Sequence, residues 1–153
     1  MSVRRPGNGR VLPPVVFFAA LILMPCMHLL FPVRLIDFPA RFIGLPPVVF
    51  GIAIVLWAAG LFRGAGTTIK PFEASTTLVL HGPYRLTRNP MYVGTASVLV
   101  GVGLLLGSAS PFVVVAAFVI VLDLRFIRAE EAALENTFGA EYRDYKKRVR
   151  RWV

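Results

Sequence analysis

Charge is scarce in this chain, and acidic charge scarcer still. Of 153 residues 16% are charged, 8 of them Asp or Glu against 17 Lys or Arg, whereas soluble domains carry about 25% charged residues. There is one cysteine, Cys26, and there are two histidines, His28 and His81. A single thiol excludes an internal disulfide framework, and no cluster of His, Cys, Asp and Glu has ligand spacing, so no metal is expected. G-x-G-x-x-G, P-loop and nucleophile-elbow motifs are all missing, which leaves soluble nucleotide-binding and hydrolase folds unsupported. Hydrophobic side chains, by contrast, are abundant: they make up 56% of the chain, with a mean hydropathy of +0.68. A domain this small has too much surface for its volume to hide that fraction from water. A bilayer removes the conflict.

Four apolar stretches are long enough to be helices in lipid, where only helices and closed barrels satisfy the backbone. They run over about 11–31, 45–62, 91–107 and 111–127. The first crosses a hydrocarbon core of about 30 Å outright, and the shorter ones need their flanks. Pro46-Pro47 and Pro90 stand at helix entrances, where a missing N–H costs nothing. The sequence thus predicts an all-α polytopic membrane protein, one domain over 1–153, with about four transmembrane helices and a C-terminal interfacial amphipathic helix. With both termini on the cytoplasmic side, every Lys and Arg except Arg34 and Arg41 falls inside, as the positive-inside bias requires. That places the chain in the cell inner membrane with segments 63–90 and 128–153 cytoplasmic. Spread over a membrane face in this way, the excess positive charge does not describe a nucleic-acid reader. The first apolar run is too long for a signal-peptide core and lacks a small-x-small cleavage site, so it is expected to stay in the protein. Gly60/Gly64 and Gly103/Gly107 have G-x-x-x-G spacing and are expected to let helices approach closely within the chain.

The chemistry must lie in the two polar segments. In the first, His81-Gly82-Pro83-Tyr84-Arg85 leads to Arg88-Asn89-Pro90-Met91-Tyr92-Val93-Gly94. Gly82-Pro83 is a turn signal. Asn89 is placed to cap the third helix, whose positive dipole end, with Arg85 and Arg88, suits a carboxylate or phosphate. The same residues also suit a plain capped helix with an interfacial tyrosine and snorkelling arginines. In the second segment Glu130 and Glu131 adjoin the fourth helix. Leu134, Phe138, Tyr142, Tyr145, Val149 and Trp152 then recur at helical spacing beside a basic cluster at Lys146 to Arg151, with Gly139 a possible break. The basic cluster reads as a solvated or lipid-facing tail. Consecutive helix positions point about 100° apart, so Glu130 and Glu131 are expected to have different partners: one faces a pocket while the other caps, pairs with Arg85, Arg88 or Arg128, or meets a second ligand group. Asp123, at membrane depth, is a site candidate expected to pair with Arg125, Arg128 or Arg88. Carboxylates opposite arginines suit a zwitterion.

The stretch from His81 to Gly94, followed by Glu130-Glu131, Leu134, Phe138-Gly139, Glu141-Tyr142 and Tyr145 to Val149, resembles the signature of the integral-membrane methyltransferases. This family includes the isoprenylcysteine carboxyl methyltransferases and the phospholipid N-methyltransferases. The resemblance covers about the C-terminal 60% of the chain. It implies S-adenosylmethionine as cofactor, bound by His81, Gly82, Tyr84, Arg88, Asn89, Pro90, Tyr92, Glu130 and Glu131. It further implies catalytic roles for Glu130, Glu131 and Arg88, and a lipid or lipophilic small-molecule acceptor. Asn89 departs from the family pattern, which carries histidine there; asparagine can donate a hydrogen bond but cannot gain a proton near neutral pH. Isoprenylcysteine-type and phospholipid-type acceptors both remain open, as does a non-catalytic membrane scaffold that keeps the fold.

Overall fold

A computed structural model describes residues 12–64 and 77–153. The arginines at 4, 5 and 10 and the lysine at 70, counted above on the inner face, lie outside the described residues, as does Val11. Helix α1 is Pro13–Leu30, α2 Leu45–Gly64, α3 Pro90–Leu106 and α4 Pro111–Val121; a π-helical turn, Leu122–Ile127, continues α4 into α5, Arg128–Phe138, and α6 follows as Ala140–Arg148. Short 3-10 turns lead into α2 (Ala40–Gly44) and precede α3 (Gly82–Arg85). Among the described residues there is no strand, only a single antiparallel bridge between Arg34 and Ser108.

α1 and the continuous rod Ala40–Gly64 are long and apolar enough to cross a membrane, and only 17% of each apolar window is buried within the protein. A soluble core helix would be mostly covered. Here Phe18, Ile22, Leu29, Val49, Leu56 and Trp57 stand exposed around the outside, a surface that lipid satisfies and water does not. α3, with 17 residues, and α4 with its π turn complete four crossings and an all-α polytopic membrane protein. The main core gathers Ala20 and Met24 of α1, Leu99 of α3, Val115 and Phe118 of α4, and Leu122, Phe126 and Ile127 of the π turn. A smaller cluster joins Ala58, Val79 and Tyr84.

The glycines that matter for packing are not the expected ones. Among the described residues a Cβ on Gly60 or Gly64 would meet nothing within 4 Å, so that G-x-x-x-G pair makes no close approach to them. Gly44 and Gly51 instead lie against Gly101 and Gly94, each seven residues apart on its own helix, so that the backbones of α2 and α3 touch. Seven residues are two helical turns and return to the same face, a spacing that a search for three intervening residues overlooks. Ser97 Oγ strengthens the contact by donating to the Pro47 carbonyl at 2.9 Å. The other expected pair splits its duties. Gly103 packs against Phe112 and Met24, while Gly107 ends α3 at φ +69°, the left-handed cap that glycine alone adopts without penalty.

At that end of the bundle the connections are tied by polar contacts. Leu35 N–H donates to the Gly107 carbonyl at 2.9 Å, Ser108 Oγ to the Val33 carbonyl at 3.0 Å and Ser110 Oγ to the Met27 carbonyl at 3.2 Å. The opposite end carries the start of α1, the end of α2, the start of α3 and the π turn. Gly139, at φ +53°, separates α5 from α6, so the C-terminal amphipathic helix is two helices. The break folds α6 back so that its stripe residues Tyr142 and Tyr145 are 1% and 5% exposed.

Candidate functional site

The two polar segments meet. Tyr145 of α6 donates its hydroxyl to the Tyr84 carbonyl at 2.6 Å, and the Arg88 N–H donates to the Arg150 carbonyl at 2.9 Å. Between them lies a cavity of about 770 Å³, within the range of about 300–1,000 Å³ usual for small-molecule and cofactor sites. Its polar wall is Tyr84, Arg88, Asn89, Tyr92, Glu130 and Glu131, with Pro90 at the helix entrance; its apolar wall includes Phe17, Phe18, Val55, Phe62, Phe118 and Leu122. Seven of the nine residues expected at a cofactor site therefore share one cavity. His81 and Gly82 do not line it. His81 is exposed, and Gly82 opens the 3-10 turn at φ +62°, where a Cβ would strike the Leu61 side chain at 2.8 Å. Their contribution is to the turn that carries Tyr84. Arg85 is exposed and borders a separate shallow groove with Leu80, Tyr145, Arg148 and Val149, so only Arg88 of the two arginines reaches the cavity.

The adjacent glutamates take different partners, as their angular separation demands. Glu130 Oε1 accepts the Tyr92 hydroxyl proton at 2.6 Å. Glu131, 6% exposed, accepts from Arg151 Nε at 3.1 Å and Nη2 at 2.8 Å, and its Oε1 lies 3.1 Å from Arg88 Nη1. That last approach is an ion pair without hydrogen-bond alignment: Arg88 Nε and Nη1 are buried and find no hydrogen-bond partner among the described residues. Unspent donors on a buried guanidinium are costly unless something occupies them, and they mark where an anionic group fits. Burial raises the Glu130 carboxyl above the usual glutamate range, the Tyr92 hydrogen bond opposing it. The Tyr142 hydroxyl is pushed up to about 12 by burial, with the Glu131 charge adding and the Arg88 guanidinium opposing.

A consequence for stability follows from the sign of the Glu130 shift. The folded protein keeps this proton at pH values where the unfolded chain has released it, so the folded state binds more protons and stability falls as pH rises. The loss begins near the ordinary glutamate value of about 4.3 and ends once pH has passed the raised folded value. Compared with Glu130→Gln, which titrates nowhere in this range, the wild-type protein in detergent is expected to lose thermal stability as pH climbs through that window. Parallel melting midpoints for the two proteins from pH 4 to 8 would remove the basis for a half-buried, proton-holding Glu130.

Asn89 sits at the position before α3, but its side chain makes no cap. Its Nδ2 donates instead to the Arg151 carbonyl at 3.0 Å, beside Thr87 Oγ1, which donates to the same oxygen at 3.0 Å. The amide is drawn away because residues 150–151 cross the head of the helix and offer a half-buried acceptor. Asp123 pairs with Arg128 Nε at 3.1 Å, as expected for one of its candidates, and with Arg151 Nη1 at 3.2 Å. Arg151 is the residue that sequence reading missed. In a run of basic residues it looks solvated, and nothing local distinguishes it from Arg150, whose carbonyl and not its side chain faces the site. Residues of α1, Phe17 and Phe18, were likewise read only as membrane filling.

The profile of the phospholipid methyltransferase family matches residues 39–141. A Haemophilus influenzae protein described as uncharacterized is 40% identical over 63 residues, which are 41% of this chain and 100% of that protein. Among solved structures, the eukaryotic intramembrane Ras methyltransferase, isoprenylcysteine carboxyl methyltransferase, superposes with a TM-score of 0.67 at 22% identity. The match covers 92% of this chain and 51% of that one. The chain thus spans about half the length of that enzyme and shares its fold.

Proposed function

The chain belongs to the phospholipid methyltransferase family, and from that premise we propose that it transfers a methyl group from S-adenosylmethionine to a lipophilic acceptor within the membrane. The observation that carries this reading is one cavity with two characters. Its polar end holds Arg88, Glu130 and Glu131, and its other end is walled by Phe17, Phe118 and Leu122. The Nε and Nη1 of Arg88, without a hydrogen-bond partner among the described residues, fit the carboxylate of an amino-acid zwitterion, and Glu130 and Glu131 fit its ammonium. Tyr84, Asn89, Pro90 and Tyr92 would complete the holding surface. When bound, S-adenosylmethionine supplies a methyl group already activated on a sulfonium.

The chain's own task is then alignment and exclusion of water. Arg88 would fix the charged end of the ligand by a forked contact. Phe17, Phe118 and Leu122 would keep the opposite wall dry and receive an apolar acceptor. Glu130 Oε1 takes a hydrogen bond from Tyr92 and would accept a proton from an amine or alcohol; a carboxylate or thiolate acceptor needs no such step. The Asn89 departure does not weaken this reading, because the amide's bond to the Arg151 carbonyl requires no titration. The charge distribution supports a site end that faces the cytoplasm of a cell with this protein in its inner membrane.

Calorimetry on the detergent-solubilised protein should show binding of S-adenosylhomocysteine. Methyl-labelled donor with a membrane lipid extract should then label a lipid, identified by mass spectrometry. Binding without any labelled product would favour the scaffold alternative; no heat from folded protein would end the methyl-donor reading.

A further inference from the structure

Arg151 does not line the cavity, yet it joins three parts of it. Its guanidinium grips both oxygens of Glu131 on α5 and reaches Asp123 in the π turn. Its carbonyl receives Thr87 and Asn89 at the head of α3. Trp152, the next residue, packs against the main core, which anchors the segment.

The π turn explains how one side chain can hold both acids. In an unbroken α-helix, residues eight apart are rotated by about 80° from one another. The π turn, where Arg128 N–H bonds the Asp123 carbonyl five residues back, accommodates one additional residue. Asp123 and Glu131 then differ by about seven α-helical steps, or about 20°. Both carboxylates fall on one face of the rod, and a single planar fork lies across them. Lysine, a point charge with no fork, cannot reproduce that geometry.

We infer that Arg151 is a positioning residue of the site: its forked grip behind Glu131 sets the direction in which that carboxylate meets the ligand, while its carbonyl ties the same segment to Asn89. The inference rests on the methyl-donor reading of the cavity. Held by Arg88 alone, through an ion pair without hydrogen-bond alignment, Glu131 would keep freedom in its three rotatable torsions; bound in parallel to Arg151 it has one orientation. Sequence reading assigned these basic residues to a solvated or lipid-facing tail, and for Arg151 the structure assigns a different role.

The test is S-adenosylhomocysteine affinity by calorimetry on the full chain. Arg151→Met is expected to weaken binding ten- to a hundredfold, Arg151→Lys to lie between it and wild type, and Arg143→Met, an exposed arginine away from the cavity, to change it less than twofold. A double-mutant cycle separates positioning from general loosening. In a Glu131→Gln background, Arg151→Met should cost less than a further threefold, because no carboxylate remains to be aimed; a merely destabilising change would cost the same factor in both backgrounds. Equal factors, or wild-type affinity in Arg151→Met, would overturn the inference and leave the donor site standing. Failure of the wild-type protein itself to bind would instead bring down the donor reading on which it rests.

Discussion

Glu131→Ala is expected to weaken S-adenosylhomocysteine binding at least a hundredfold and to lower the melting midpoint by several degrees. Glu131 is the shared counter-charge of Arg88, whose side chain is 10% exposed, and of Arg151. Removing one member of a buried ion pair leaves the other charge uncompensated, at a cost of about 3–5 kcal/mol. The lower end applies here, because Arg151 is one-third exposed and retains Asp123. For a chain of this size each kcal/mol moves the midpoint by roughly 2–4 °C. The affinity loss has a second origin, since Arg88 and Arg151 would repel one another across the vacated position and Arg88 would move from where a ligand carboxylate should find it. Glu131→Gln keeps acceptor and donor atoms of the same shape and should fall between wild type and Ala in both measurements. An affinity untouched by Glu131→Ala would show that this carboxylate lies outside any ligand's reach.

Gly94→Leu is expected to prevent α2 and α3 from assembling. A Cβ at Gly94 would already lie 2.6 Å from the Ile54 and Val55 methyl groups and 2.7 Å from the Gly51 carbonyl oxygen. The side chains can move aside but the carbonyl cannot without separating the helices. In lipid, where apolar burial between helices provides little drive, close backbone packing is most of what holds a pair together. The head of α3, with Pro90 and Tyr92, would be displaced with it, so binding should vanish along with the monodisperse elution peak in detergent. Gly60→Ala is the matched control. Among the described residues nothing lies within 4 Å of its Cβ, and replacing a helical glycine by alanine favours the helix by about 1 kcal/mol, so it should fold at least as well as wild type. Normal elution and ligand binding by Gly94→Leu would mean that α2 and α3 are not in backbone contact.

How far the molecule could be read from its residues depended on the range of each interaction. The apolar helices were legible because hydropathy is a local property: α1, α2 and α3 begin and end within two residues of the apolar runs, while α4 begins with its run at Pro111 but passes through the π turn into α5 without a break. Tyr84, Arg88, Asn89, Pro90, Tyr92, Glu130 and Glu131, which two short motifs carry, line one cavity. What escaped was set by contacts between distant segments. Gly51 and Gly94 become partners only once two helices cross, and Arg151 is told apart from its basic neighbours only by a fork to acids 20 and 28 residues away. The π turn leaves no trace in a hydropathy profile, since one extra residue changes neither length nor composition enough to be seen. Asn89 was placed correctly but given the wrong partner, because the carbonyl that attracts its amide arrives from 62 residues further on.

The fourth crossing is short. From Pro111 to Ile127 it offers 17 residues, or about 25 Å of helix, against a hydrocarbon layer of about 30 Å, and Val113, Ile120 and Leu124 present it outward. A span shorter than the layer is met by a thinner bilayer or by flanking side chains that reach out to the interface. Arg125 and Arg128, both exposed where this crossing runs on into α5, are the long cationic side chains available for that reach.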